Sequence, residues 1–197
     1  MFSPVNSDHL AGKHAAPAKA IAVRPLRAED SAAVLALNAG DVALLSPLDK
    51  SRWQLLQSLA AHGRAIDQGG DLRAFLLAFR EGSTYDSPNY QWFAARYERF
   101  LYIDRVVVAP GARGAGLGRA LYDDAFATAR RDAVPWVVCE FDLDPPNDAS
   151  AQFHQRLGFV SVGTQWLATS GKRVSLQAAA GAGVSVEARD AYRPTTR

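Results

Sequence analysis

Apolar positions switch between a strand period and a helix period along this chain, and the switches mark its elements. Ala20-Ile21-Ala22-Val23 is a short apolar run stopped by Pro25. Residues 1–19 before it carry Ala, Pro and polar residues without periodicity and read as an N-terminal arm. Glu29-Asp30-Ser31 supplies acidic and capping groups for a helix through Val34, Leu35 and Leu37, ended by Asn38-Ala39-Gly40. After a connection over residues 41–48, Asp49 or Ser51 caps a second helix with Trp53, Leu56 and Leu59 on one side, and His62-Gly63 is expected to close it. Arg64-Ala65-Ile66, the turn Asp67-Gln68-Gly69-Gly70 and the run from Leu72 to Phe79 read as a β-hairpin.

Residues 83–99 crowd Tyr85, Tyr90, Trp92, Phe93 and Tyr97 around Asp86-Ser87-Pro88-Asn89. This is a loop and short helix, read as aromatic packing over a sheet edge or, more sharply, as a wall or lid of a small-molecule pocket. Phe100 to Val108 is a strand, and Leu117, Leu121 and Ala125 begin a helix from Gly116 to about Asp132. Trp136 to Phe141 is mostly apolar and therefore a central strand. Asp148 or Ser150 starts a further helix with Phe153 and Leu157, and Gly158 breaks it. Phe159 to Val162, continued or bent through Thr164 to Leu167, and Arg173 to Leu176 form the last strands. Residues 178–197 read as a C-terminal tail. The order predicts one domain over residues 20–177 of mixed α/β class: a twisted, mostly antiparallel sheet with helices on both faces. Its one parallel step is a right-handed strand–helix–strand unit from Val106 to Val138.

Composition narrows the classes. The 197 residues, 48% hydrophobic and 21% charged, suit a globular chain with a real core. A formal charge of +2 does not point to a nucleic-acid partner. The single Cys139 excludes an internal disulfide and offers no metal-ligand cluster. No apolar run reaches membrane-spanning length, and the first twenty residues lack the apolar stretch of a secretory signal, so a soluble cytoplasmic protein is expected.

The chemistry concentrates between Tyr102 and Tyr122. Ala109-Pro110-Gly111 stops the strand, and Arg113-Gly114-Ala115-Gly116-Leu117-Gly118-Arg119 runs directly into the helix. Strand, Gly-rich turn and helix start form an anion site from backbone alone: N–H groups point outward, the helix dipole is positive there, and glycines admit close approach. Arg113 and Arg119 add bidentate donors. A Walker A loop fails, because Leu117-Gly118 stands where Lys and a hydroxyl are needed; a GxGxxG fingerprint fails, because Arg119 replaces the third Gly. R-x-x-G-x-G fits, as Arg113, Gly116 and Gly118.

That loop resembles the acyl-coenzyme A pyrophosphate loop of the GCN5-related N-acetyltransferase (GNAT) superfamily. A second block is similar to the same superfamily's N-x-x-A-x-x-L-Y-x-x-x-G-F: Asn147, Gly158 and Phe159 match, while Ser150, Phe153 and His154 replace Ala, Leu and Tyr. Together the motifs and element order cover residues 20–177. The resemblance implies a sheet splayed near Val108 and Cys139, with acetyl-CoA as co-substrate and no metal. It implies that Val106, Val107 and Val108 bind the pantetheine amides through backbone, and that the amides of Arg113, Gly114, Ala115, Gly116, Leu117 and Gly118 hold the pyrophosphate. Arg119 and Arg156 are further phosphate contacts or solvated helix faces, and Asn147 and Phe153 meet the pantetheine arm.

Acyl transfer to an amine needs a base, an oxyanion donor and an exit for the thiolate. The resemblance implies a backbone N–H near Val106 as oxyanion donor. Asp104 and Glu140, on the two strands flanking the splay, are the base candidates; Asp104 has the competing role of pairing with Arg105 or Arg99. His154, standing where the superfamily has a Tyr, is either proton donor to the leaving thiolate or a packing residue. The expected function is transfer of acetyl to a primary amine, small molecule or protein N-terminus, with a homodimer through the final strands allowed; the alternative is a non-catalytic acyl-CoA sensor.

Overall fold

The computed structural model of the protein describes residues 20–40 and 47–183. Two helices open it: α1 (Ser31–Ala39) and α2 (Lys50–Leu59), the latter capped by Asp49, whose carboxylate accepts from the Arg52 N–H. The hairpin follows as β2 (His62–Gln68) and β3 (Asp71–Arg80), and its two central turn residues, Gly69 and Gly70, have φ of 65° and 91° as a tight hairpin of this twist requires. Ser87 caps α3 (Pro88–Ala94), with Pro88 at the first helical position where its missing N–H costs nothing. Then come β4 (Phe100–Val108), α4 (Leu117–Arg131), β5 (Trp136–Asp144), α5 (Asp148–Arg156), β6 (Val160–Leu167) and β7 (Lys172–Ala180).

With the short β1 (Arg24–Pro25), these strands form one seven-stranded sheet in the order β1-β2-β3-β4-β5-β7-β6. Among the described strands only β4 and β5 run parallel, with α4 as the crossover. Strand alternation sends Leu76, Leu101, Ile103, Val137 and Cys139 to the face covered by α4 and α5, where Leu117, Leu121, Ala125 and Phe159 pack on them. The opposite face buries Phe75, Phe79, Phe100, Tyr102 and Val138 against Val34, Trp53 and Leu56 of the first two helices and the aromatics around α3. Two apolar layers on one sheet give the mixed α/β architecture expected from the element order.

Several boundaries differ from the sequence reading, among them the end of β5, which runs to Asp144 rather than Phe141. The first strand pairs at Arg24 and Pro25, opposite Ala65 and Arg64, rather than over residues 20–23; an edge position lets Pro25 join without a donor. His62-Gly63 opens β2 instead of closing α2, because α2 has already ended at Ala60 and the Ala61 N–H donates to the Ala78 carbonyl. Asn147, not Asp148 or Ser150, caps α5. β7 continues into Ala178, Ala179 and Ala180, paired with Val138, Val137 and Trp136, so the ladder runs past the expected start of the tail. The N-terminal arm, part of the 41–48 connection and most of the C-terminal tail lie outside the described residues.

The aromatic segment packs over a sheet face. Tyr85, Tyr90, Phe93 and Tyr97 are buried in the second core layer, and Phe79 and Tyr85 stack at 4.3 Å. Trp92 reaches the far edge of the sheet: a Cβ on Gly163 of β6 would come within 2.7 Å of its ring, and the Arg96 guanidinium lies 4.1 Å over that ring's centre. Gly163→Ala is therefore expected to destabilise the fold by about 1–3 kcal/mol through overpacking. The check is a lower urea midpoint at unchanged m-value.

Candidate active site

The parallel ladder between β4 and β5 contains three pairs, Phe100 with Trp136, Leu101 with Val137 and Tyr102 with Val138. Beyond them β4 stays with β3 as far as Val108, and β5 stays with β7 as far as Asp144. The sheet thus splits into two half-sheets, and the side of β4 from Ile103 to Val108 that faces β5 carries no ladder. Val106, Val107 and Val108 lie along this open side.

A bulge sits at the fork. Leu77 pairs with Arg105 and Ala78 with Ile103, so Asp104 is an extra residue in β4. The bulge shifts the alternation: Leu101 and Ile103 face α4, but beyond it Val106 and Val108 do, while Val107 joins Tyr102 in the other layer. Bulges of this kind bend a strand and re-aim its groups beside active sites.

At the end of β4, Pro110–Ala112 makes one 3-10 turn, and the Arg113 Nε donates to the Val108 carbonyl at 3.3 Å. Gly114 and Gly116 adopt φ of 79° and 81°, left-handed backbone that favours glycine. Gly116 stands at the N-cap of α4, which has neither a side-chain cap nor an acidic residue in its first turn. The N–H groups from Leu117 onward therefore face outward with the positive end of the helix dipole. Gly118 allows close packing: a Cβ there would touch Phe153 at 3.7 Å and Val108 at 3.8 Å, which brings α5 against the first turn of α4. Ala115 is exposed on the loop. Arg119 is exposed and bonded to Asp123 one turn on; Arg156 is exposed in the last turn of α5. Asn147 spends its side-chain oxygen on the Ser150 N–H, as the cap of α5.

The two carboxylates sit on the face away from α4, in different surroundings. Asp104 accepts from the Tyr85 hydroxyl at 2.6 Å and from the Arg105 Nε at 2.9 Å; Arg105, 6% exposed, also donates to the Asn38 side chain of α1 at 2.7 Å. The pairing with Arg105 rather than Arg99 makes Asp104 a partnered charge. Glu140 accepts from the Tyr102 hydroxyl at 2.9 Å through one oxygen, while its other oxygen is buried with no partner among the described residues. Burial first, and the nearby charges of Asp104 and Asp142 next, push the Glu140 carboxyl up to about 8, with Asn89 and Tyr102 acting the other way. The Tyr102, Tyr85 and Asn89 contributions have no sequence signature, because they come from other elements folded onto this face.

His154 is on the opposite side of the sheet, 6% exposed, with its ring stacked on Phe141. Its Nδ1 is 2.8 Å from the Ser150 carbonyl and its Nε2 2.7 Å from the Tyr122 hydroxyl. A carbonyl only accepts, so Nδ1 carries the proton and Nε2 accepts from Tyr122. Burial lowers the His154 pKa and favours this neutral form. Tyr122 and Cys139 complete the cluster, both pushed well above their ordinary pKa by burial. Among the described residues no three of His, Cys, Asp and Glu come together to hold a metal, and no helix is long and apolar enough to cross a membrane.

Residues 48–159 match the acetyltransferase (GNAT) family model, and the chain belongs to that family. The fold agrees with solved structures. The ribosomal-protein-S18-alanine N-acetyltransferase of Escherichia coli superposes with a TM-score of 0.63 at 16% identity, covering 84% of this chain and 96% of that one. Ard1 of Thermoplasma volcanium gives 0.65 at 16% identity, over 82% and 98%. A Salmonella typhimurium protein of acetyltransferase description, solved with its cofactor acetyl-CoA, gives 0.62 at 17% identity, over 85% and 98%. The tRNA(Met) cytidine acetyltransferase of Pectobacterium atrosepticum is 28% identical over 150 residues, 64% of this chain, which spans only 21% of that protein.

Glu140 links the site to stability. The folded chain keeps its proton up to about pH 8, whereas an unfolded one releases it near 4.5, so between these values the unfolded state binds fewer protons and stability declines as pH rises. Glu140→Gln, which cannot ionise, is expected to gain melting temperature over the wild type progressively between pH 5 and about 8 and to hold that advantage above it. Parallel thermal melts across this range check the effect; equal slopes for the two proteins contradict it.

Proposed function

We propose that the protein is an N-acetyltransferase that moves the acetyl group of acetyl-CoA to a primary amine by direct attack, with Glu140 as its general base. The observation that carries this reading is a half-buried carboxylate with one buried oxygen unpartnered among the described residues, a pKa raised to about 8, and a place on β5 beyond the last β4–β5 pair. An amine arrives largely protonated at neutral pH and attacks only when neutral, so a base with a pKa near the working pH is matched to the task.

In this reading the backbone of Val106, Val107 and Val108 takes the pantetheine arm on the open side of β4, and the Val106 N–H faces the developing oxyanion. The amides of Arg113, Gly114, Ala115, Gly116, Leu117 and Gly118, backed by the uncapped start of α4, take the pyrophosphate. Arg113 braces the loop through Val108 and adds its charge; Arg119 and Arg156 contribute from exposed helix positions. Asn147 and Phe153 set α5 beside the loop and border the arm. Glu140 accepts a proton from the ammonium, directly or through water; the neutral amine attacks the thioester carbon, the C–S bond breaks, and the coenzyme leaves as a thiolate that takes up the proton lost by nitrogen.

Asp104 serves this base rather than replacing it: its charge, held by Arg105 and Tyr85, disfavours ionised Glu140 and keeps its basicity high. His154 orients α5 and Tyr122 as a neutral ring, because both of its nitrogens are already engaged. The chain acts in the cytoplasm in this reading.

A thiol-release assay with acetyl-CoA and an amine library tests the transfer. The library includes alanine-terminated peptides and cytidine, the acceptors named for a structural neighbour and a sequence relative. Release with at least one amine is expected; tight coenzyme binding without release from any of them would favour the sensor alternative. With an acceptor in hand, kcat/KM should rise with pH and level off near 8, and Glu140→Gln should lose about 10²-fold in kcat together with that rise. A Gln variant with wild-type kcat removes Glu140 from the mechanism. Gly116→Val places a β-branched residue at φ 81°, at a cost of about 1–3 kcal/mol in the loop, and fills the approach to the helix start. Calorimetry should find coenzyme A binding abolished, and normal affinity would sink the loop assignment.

A further inference from the structure

Arg73 sits on β3, well upstream of the Gly-rich loop, and the fold brings it there by a second bulge. In the β2–β3 ladder Ile66 pairs with Ala74 and Asp67 with Leu72, so Arg73 is the extra residue. The bulge leaves its carbonyl for the other neighbour: the Ala109 N–H donates to the Arg73 oxygen at 2.8 Å, immediately after the end of β4. Its guanidinium leans over the loop that follows, where a Cβ on Gly111 would lie 3.3 Å from Arg73 Nη2. Gly111 thus leaves room for this group.

Among the described residues no carboxylate or carbonyl accepts a hydrogen bond from Arg73. By contrast, Arg24 is shared between Asp30 and Asp67, Arg64 is bonded to Asp124, and Arg119 to Asp123. Arg73 is also only half exposed to solvent. A partly desolvated guanidinium with five donors and no acceptor is unfavourable alone and favourable opposite a phosphate, whose oxygens match its planar fork. A bulge that re-aims a side chain, a glycine that makes room for it and a cation without a partner among the described residues converge on the turn beside the start of α4.

We propose that Arg73 is a phosphate-binding residue of the coenzyme site, acting from the β3 side of the loop. This rests on the reading above that residues 113–118 hold the coenzyme's phosphates. Coenzyme A carries two such groups, the pyrophosphate and the ribose 3′-phosphate, and Arg73 serves one of them.

Isothermal titration with coenzyme A and with 3′-dephospho-coenzyme A needs no acceptor and separates the cases. Arg73→Ala is expected to bind coenzyme A about tenfold more weakly than the wild type, the size of one charge-assisted hydrogen bond. Arg130→Ala, which removes the same charge from an exposed site at the far end of α4, should bind normally. An equal loss for both ligands assigns Arg73 to the pyrophosphate; a loss confined to coenzyme A assigns it to the 3′-phosphate. Melting temperatures of the ligand-free variants establish that both are folded, and Arg73→Lys, keeping charge without the fork, should fall between. Binding by Arg73→Ala within twofold of the wild type overturns the proposal while leaving the loop assignment intact, and so does an equal loss in Arg130→Ala. A wild-type protein that binds neither ligand overturns both.

Discussion

The constraint on which the rest depends is the length of one ladder. β4 and β5 share three residue pairs and then part, while each stays paired with a different antiparallel neighbour. Antiparallel partners on the outer sides hold the half-sheets, so the central strands can leave backbone groups unpaired without losing the core. The gap between them is a place where an extended ligand can complete a sheet. The Gly-rich turn at the end of β4 lies at the mouth of that gap, with the N-terminus of α4 beside it.

The bulges decide what faces what. Were Asp104 paired in regular alternation instead of bulged out, Val106 would join the aromatic layer and Val107 would turn to α4, reversing the strand just where it opens. The bulge is anchored by a buried set of polar groups, Tyr85, Asp104, Arg105 and Asn38, that ties the segment before α3 and the helix α1 to the same point of β4. Two carboxylates on one face then differ in character for a physical reason. Asp104 has a guanidinium and a hydroxyl; Glu140 has one hydroxyl, a low-dielectric setting and a negative neighbour.

The departures from the family's second motif are also intelligible. Phe153 packs where a Leu is usual, against the bare backbone of Gly118. His154 is accommodated in place of Tyr by Tyr122 reaching across from α4, so that a hydroxyl and an imidazole together fill a buried site. A Gly-rich loop can be recognised in one dimension; the direction of a histidine proton cannot, since it depends on Ser150 one turn earlier and on Tyr122 from another helix.

What the sequence alone determined were the features whose physics is local. The hairpin turn at Gly69-Gly70, a cap for α2 at Asp49 or Ser51, the strand–Gly loop–helix unit and the amphipathic helices all follow from residue type and spacing over a few positions. The mixed α/β class and the Gly-rich turn before α4 were legible for that reason, whereas Asp104 and Glu140 became candidates through the resemblance, which implied a splay between their strands. The tertiary structure alone decided where β2 begins and how far β7 runs, since both depend on partners distant in sequence. It also decided which carboxylate is partnered, which tautomer His154 adopts, and that Arg73 points at a loop it does not neighbour in the chain. Ladder register and burial are set by elements packing together, and an extra residue in a strand cannot be seen until its partner is laid beside it.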